Sequence, residues 1–376
     1  MKRVLVAMSG GVDSSVAALL LRDQGYEVIG ATLNLWSYDQ GRQEPYNECC
    51  SLEVRLVAQQ LSIPHHFIDE GIDFKREVVD PFVADYLAGR TPSPCTRCNR
   101  LVRFPKLLEI ADRLGCEHLA TGHHARIEHT PDGSFALFKG RDLGKDQSYF
   151  LYGLRPEQLK RILFPVGDFQ KMAIWEIARA HKLVSARKPE SQDLCFIPWG
   201  DYREYLKGQA DGTIRPGEMV DRAGQVLGRH EGLPFYTIGQ RRGLRLSSAE
   251  KLYVVALDSE SNRVIVGPES QLYSRGLIAA EVNLLAPLPV GEDLPVEVKL
   301  RYRSPAVAAT LRLSPNADGD TCARLEFSQP QRAVTPGQIA VFYQGEHLLG
   351  GGIIEAPMCS EEDQRAVSAP CIPLYR

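Results

Sequence analysis

The run Lys2-Arg3-Val4-Leu5-Val6-Ala7-Met8-Ser9-Gly10-Gly11-Val12-Asp13-Ser14-Ser15-Val16-Ala17-Ala18-Leu19-Leu20-Leu21 decides the fold. It begins as an apolar strand, passes through a small, polar, glycine-rich turn and continues as an apolar helix. A strand, a tight loop and a helix N-terminus in that order suit an anion. Glycines let the backbone approach closely, hydroxyls and amides point inward, and the helix dipole favours negative charge. This is not the G-x-x-x-x-G-K-[ST] phosphate loop, because it has no lysine and carries Asp13 in its middle. On the residues alone, an ordinary Gly-Ser turn before a helix remains open.

The 376 residues are enough for two or three domains. A hydrophobic content of 44% and a charged content of 24% are those of a soluble globular protein. The net charge of −3 announces no polyanionic partner, so any nucleic-acid contact must use local basic patches. No signal peptide and no apolar run of about 20 residues is seen, so no membrane span and a cytoplasmic location are expected. In a reducing compartment the nine cysteines do not read as a disulfide framework. They divide into redox, metal-binding or nucleophilic groups and plain core.

Residues 1–125 alternate strand and helix patterns. Tyr26–Leu35, His65–Ile68 and Cys116–Thr121 read as strands, Glu48–Leu61 and Val102–Leu114 as helices, with Gly115 as a stop. The alternation predicts an α/β unit: a parallel sheet with helices on both faces and ligands at the carboxyl ends of its strands. Ser9–Ser14, Leu33 and Gly122 fall at or near such ends and are expected to converge on one nucleotide. Pro156–Leu163 and Gln170–His181 read as further helices, and Lys182–Gln192 as polar and turn-rich. From about 205, recurring glycines and prolines separate short apolar pieces, with a hairpin at Tyr253–Leu257 and Arg263–Val266. Beyond about 271, the strict alternation of Val296–Arg303 and the runs Ala309–Leu313, Cys322–Phe327 and Ile339–Tyr343 predict a small barrel or sandwich.

Two stretches carry the chemistry: Thr91-Pro92-Ser93-Pro94-Cys95-Thr96-Arg97-Cys98-Asn99-Arg100-Leu101-Val102-Arg103-Phe104 and Ser191-Gln192-Asp193-Leu194-Cys195-Phe196-Ile197. Cys98 is expected at a helix start among Arg97, Arg100 and Arg103, where dipole and guanidinium groups favour thiolate. Cys195, in a loop near an aspartate, suits an accessible carrier of a second sulfur, or is an inert loop cysteine. The Cys-x-x-Cys pair is ambiguous between redox, metal and chance: zinc takes four ligands, and no second pair exists. Cys49, Cys50, Cys116 and Cys322 read as packing, Cys359 and Cys371 as part of the tail.

The loop Ser9–Ser15 resembles the signature of the PP-loop ATP pyrophosphatases, which split ATP between its α and β phosphates and adenylate a substrate oxygen. The resemblance narrows with Cys98-Asn99 and Val102-Arg103-Phe104, Ala120–His123, Lys145–Leu151, Ser191–Phe196, Tyr236–Leu244 and Val334–Gln338. Together, over about residues 2–355, these are similar to the tRNA-specific 2-thiouridylase family. That resemblance implies ATP-dependent 2-thiolation of the wobble uridine of tRNA anticodons, with adenylation of the uridine O2 and sulfur from a persulfide. It implies three parts: a PP-loop catalytic domain at 1–204, a β-rich central domain at 205–270 and a tRNA-binding β-barrel at 271–356. A polar tail at 357–376 is expected to be disordered.

The implied roles follow residue by residue. Ala7, Met8, Ser9, Gly10, Gly11, Val12, Asp13, Ser14, Leu33 and Gly122 would bind ATP, aided by Mg²⁺, with Asp13 either helping to place the metal or bonding within the loop. Cys195 would carry the persulfide delivered by a sulfur donor protein, a cysteine desulfurase or a persulfide carrier. Cys98 would be the nucleophile, releasing sulfur through a Cys98–Cys195 disulfide or directing it. Ser93, Pro94, Cys95, His123, Lys145, Asp146, Gln147, Arg301, Tyr302 and Gln338 would contact the tRNA. Solvated-face, turn-capping or core readings stand beside several of these. Cys95 departs from the family, which in much of its membership has an aspartate there resembling an acid/base group. The departure creates a trio, Cys95, Cys98 and Cys195, that would suit an iron–sulfur cluster with an open iron carrying sulfide. Two rivals are another PP-loop adenylating ligase or amidotransferase acting on a small molecule and a non-catalytic tRNA-binding protein.

Overall fold

In the computed structural model, residues 2–36, 52–131, 133–187, 194–197, 201–210, 212–316, 319–359 and 372–373 are described. The first seven strands are β1 (Arg3–Ala7), β2 (Glu27–Asn34), β3 (His65–Asp69), β4 (His118–Thr121), β5 (Ala125–His129), β6 (Phe135–Lys139) and β7 (Ile162–Leu163). Five of them form a sheet in the order β3-β2-β1-β4-β7, parallel throughout. Val4, Leu5 and Val6 are fully buried. The pleat sends Leu5 into one apolar cluster and Val4 and Val6 into another. Both faces of β1 are therefore covered, which is what a continuous apolar strand in a parallel sheet requires.

The first helix, Val12–Asp23, packs Val16 and Leu19 on the Val4/Val6 side, together with Val54 and Val57 of helix Leu52–Leu61. On the other side lie Leu107 and Ile110 of helix Phe104–Arg113. The helix expected over Val102–Leu114 starts earlier than the sequence pattern indicates. A turn of helix at Pro94–Cys98 leads through a π-helical turn at Asn99–Arg103 into Phe104–Arg113. The helix expected over Pro156–Leu163 is one turn, Pro156–Leu159, after which Ile162 and Leu163 pair with Leu119 and Ala120 as the sheet edge. Part of the expected helix at Glu48–Leu61, including Cys49 and Cys50, lies outside the described residues.

β5 and β6 are a hairpin that leaves the parallel sheet and joins β17 (His347–Cys359) through the Phe138–His347 pair. In between come β8 (Gly217–Val220), β9 (Val226–His230), β10 (Tyr253–Asp258) and β11 (Arg263–Gly267), in the order β10-β11-β8-β9. The last unit contains β12 (Tyr273–Leu284), β13 (Asp293–Lys299), β14 (Val307–Pro315), β15 (Thr321–Arg332), β16 (Ile339–Gln344) and β17. β12 pairs with both β15 and β17, so these six strands close into a barrel, and closure removes the free edges of the sheet.

The alternation of β13 places Val296 and Val298 in the barrel core, but the strand stops at Lys299. Arg301 and Arg303 therefore do not extend its polar face. At the C-terminus β17 runs on to Cys359 and Met358 pairs with Gly276, so the expected disordered tail does not begin at 357. Residues 360–371 and 374–376 of that expectation lie outside the described residues. One apolar cluster joins Leu5, Leu107 and Ile110 of the first unit to Leu285, Ile339 and Tyr343 of the barrel, through Tyr149 and Tyr152. Among the described residues, no helix is long and apolar enough to cross a membrane.

Candidate active site

The loop after β1 is held by its own hydroxyls. Ser14 Oγ accepts from the Ser9 amide at 3.2 Å and donates to the Gly11 carbonyl at 3.1 Å; Ser15 Oγ donates to the same carbonyl at 2.9 Å. Gly10 takes φ +75°, where a side chain would be strained. Gly122, just past β4, lies so close to the loop that a Cβ there would stand 2.5 Å from the Ser14 amide nitrogen. The Thr32 hydroxyl donates to the Met8 carbonyl at 2.6 Å and ties the end of β2 to the same place.

These strand ends enclose a cavity of about 250 Å³. Ala7, Met8, Ser9, Gly11, Asp13 and Ser14 line one side of it. Leu33 and Gly122 line it from the two neighbouring strands. Gly10 belongs to the loop, and Val12, the first residue of the helix that follows, is buried beneath it. Leu107 and Trp36 add apolar wall, and Arg103 adds a cation. A glycine-lined cradle at a helix N-terminus, an apolar wall and a guanidinium fit a nucleoside triphosphate.

Asp13 faces the cavity but is engaged from behind. Lys171 Nζ lies 2.7 Å from each of its carboxylate oxygens, and His124 Nε2 lies 3.1 Å from Oδ1. Burial works to raise the Asp13 pKa, but the hydrogen bonds from His124 and Lys171 outweigh it and hold the carboxyl below its usual range. Sequence reasoning missed both partners, because nothing in their local patterns points to a loop more than a hundred residues away.

Cys195 is exposed and lies in the wall of the same cavity. Cys98 is buried in a large apolar cluster that also contains Phe196, with Leu194 packed against it. Cys98 and Cys195 are both free thiols. Cys98 is not at a helix start but ends the Pro94–Cys98 turn. Burial pushes its thiol pKa up, against the opposing influence of Arg103, so the expected thiolate stabilisation is overturned. Cys95 is exposed. Among the described residues no three metal-ligating side chains stand close enough to hold a metal ion. Cys95, Cys98 and Cys195 therefore do not fit a cluster cradle, and the iron–sulfur expectation is not sustained. Ser191–Asp193 lie outside the described residues.

His123 lines the cavity, its ring packed beside Phe104 and Phe164 at centroid distances of 5.9 and 6.0 Å. Burial drives its pKa down to about 3, so it is neutral near pH 7. Its Nδ1 lies 2.6 Å from Thr121 Oγ1. Gln147 also lines the cavity, and its Oε1 accepts from the His124 amide at 2.9 Å.

Other expected tRNA contacts are used inside the protein. Asp146 is buried and accepts from the Gly140 amide, the Ser148 amide and the Ser148 hydroxyl at 3.0–3.1 Å. This network holds a loop, which removes the carboxylate from a surface role. Lys145 is half-buried beside it. Arg301 donates to the Ala333 carbonyl and, at 2.9 Å, to Thr335 Oγ1. The Tyr302 ring packs on Phe150 at 4.4 Å. Gln338 Nε2 donates to the Thr91 carbonyl at 2.9 Å, joining the barrel to the segment before Cys95. Ser93 and Pro94 line a second, smaller cavity with Arg97 and Arg100.

Comparison with known proteins agrees with this geometry. A family model described as tRNA methyl transferase HUP domain matches residues 2–199. Further models, described as tRNA methyl transferase PRC-barrel domain and aminomethyltransferase beta-barrel domain, match 203–268 and 274–354. A relative from Moorella thermoacetica named tRNA-specific 2-thiouridylase MnmA is 49% identical, over 94% of this chain and 99% of its own length. Relatives with the same name from Carboxydothermus hydrogenoformans and Acidithiobacillus ferrooxidans are 46% and 49% identical, each over 94% of this chain and 98% of its own length. With a nucleotide cradle, a cysteine in its wall and a closed barrel behind it, the chain belongs to the tRNA-specific 2-thiouridylase family.

Proposed function

We propose that this chain is a tRNA-uridine 2-sulfurtransferase that thiolates the wobble uridine of tRNA anticodons at the expense of ATP. One observation carries the reading: the nucleotide loop and Cys195 line the same cavity. A uridine C2 carbonyl is a poor electrophile. Its O2 attacks the α-phosphate of ATP, pyrophosphate departs, and the adenylated oxygen becomes a leaving group. The terminal sulfur of a persulfide on Cys195, delivered by a donor protein, attacks C2. Cys98, once deprotonated, attacks Cys195 Sγ. The S–S bond breaks, sulfur stays on C2, AMP leaves with the former O2, and a Cys98–Cys195 disulfide remains for a thiol reductant to open. The base must leave the anticodon stack to enter the site.

Magnesium would be held by the phosphates of bound ATP, with Asp13 engaged by Lys171 instead of offered to the metal. It would supply charge neutralisation for the departing pyrophosphate. The methyl transfer named in a family description is less well supported, because a cysteine in the nucleotide wall suits sulfur chemistry and the relatives are named for thiolation. AMP formation that depends on added tRNA tests the first half-reaction. Cys195→Ser should abolish 2-thiouridine in digested tRNA while ATP binding persists; an unchanged thionucleoside level refutes the assigned role.

A further inference from the structure

We infer that Lys171 is a positioning residue of the nucleotide loop: it neutralises Asp13 and, with His124, ties that carboxylate to the segment after β4 and to a later helix. This rests on the reading of the loop as an ATP site. The sequence poses the problem. A loop built for polyphosphate lacks the usual lysine and carries a carboxylate, which alone would repel its ligand.

The fold answers it from a distance. Lys171 opens helix Lys171–Ala180, and its backbone amide donates to Asp142 Oδ2 at 2.9 Å, which fixes the helix start. The Lys171 side chain is only 8% exposed, so little water competes for its ammonium. It reaches both Asp13 oxygens at 2.7 Å and stands behind the carboxylate. An ionised carboxylate only accepts, so His124 Nε2 carries the proton it shares with Asp13. His124 is held in turn by Gln147, whose Oε1 and backbone amide bond the His124 amide and carbonyl, each at 2.9 Å. The loop, the segment after β4 and a later helix thus meet at one carboxylate. Asp13 used this way is an anchor with its charge cancelled, not a metal ligand.

The two roles separate in a double-mutant experiment on the full-length chain, with MgATP binding measured by calorimetry and KM for ATP and for tRNA determined separately. Lys171→Met leaves Asp13 charged and should weaken MgATP binding by about tenfold or more, with KM for tRNA unchanged. Lys171→Arg should recover part of that loss. Asp13→Asn combined with Lys171→Met removes both charges and should bind ATP more tightly than Lys171→Met alone, to within about tenfold of wild type. The inference is overturned if Lys171→Met binds like wild type, or if the double variant is no better than the single one. Should Lys171→Met be insoluble, the double variant decides by itself: binding within about tenfold of wild type supports the cancellation of the Asp13 charge by Lys171, and weaker binding rejects it. If the wild-type chain binds no ATP, the proposed function fails and not this pairing.

Discussion

Cys98 and His123 have chemistry that their neighbours impose. A thiol flanked in sequence by Arg97, Arg100 and Arg103 reads as a poised thiolate, but the helix turn it ends packs it into an apolar cluster. Burial then opposes ionisation more strongly than Arg103 promotes it. His123 is held neutral, and the sign of its contribution to stability follows. Its folded pKa is about 3 against an ordinary 6.5, so the unfolded chain binds the proton more readily. The fold is unaffected by this group above about pH 6.5 and loses stability as pH falls from there towards 3. His123→Gln should therefore flatten the drop in thermal midpoint between pH 7 and pH 5. An equal drop in both proteins would show that His123 is not held neutral. In the range of pH 6 to 9, thiolation should show no inflection from His123.

Elements were legible where their pattern was local. The strand–loop–helix start, the alternation of β13 and the hairpin of β10 and β11 follow from periodicity and turn residues. The β5–β6 hairpin carries a local signal too: Ile127, Phe135, Leu137 and other apolar residues flank the sequence Thr130-Pro131-Asp132-Gly133. What no local signal indicated is that this hairpin would leave the nucleotide domain and lengthen the barrel sheet. Arg126 fastens it there. Only 5% exposed, it bonds Glu128, Glu346 at 2.5 Å and the Lys139 carbonyl at 2.9 Å. Arg126→Ala should destabilise the protein by about 1–3 kcal/mol. Amide exchange should quicken across 125–139 first, and a uniform increase over the whole chain would contradict a local fastening role.

At the scale of the molecule, the nucleotide domain and the barrel share an apolar cluster and do not meet across a polar linker. Leu5 and Leu107 belong to the same cluster as Leu285, Ile339 and Tyr343. Removing the barrel would expose that surface, so a fragment ending at residue 270 should be insoluble or lack cooperative melting. A soluble fragment that binds ATP with full affinity would show that the domains are energetically independent.

By itself the sequence determined the first strand, the glycine loop, the parallel sheet, the strand-rich last unit and the family, because each is written in a short run of residues or in a spaced set of such runs; that the last unit closes into a barrel was decided by the pairing of β12 with β17. Tertiary structure alone decided which partners those runs meet. Lys171 reaches Asp13 across 158 positions, Gln338 binds the segment before Cys95, and Asp146 turns inward to hold a loop. Such pairings depend on which surfaces the packed elements bring together. A side chain's charge, exposure and ability to touch a ligand are properties of that packing and leave no periodic trace in the chain.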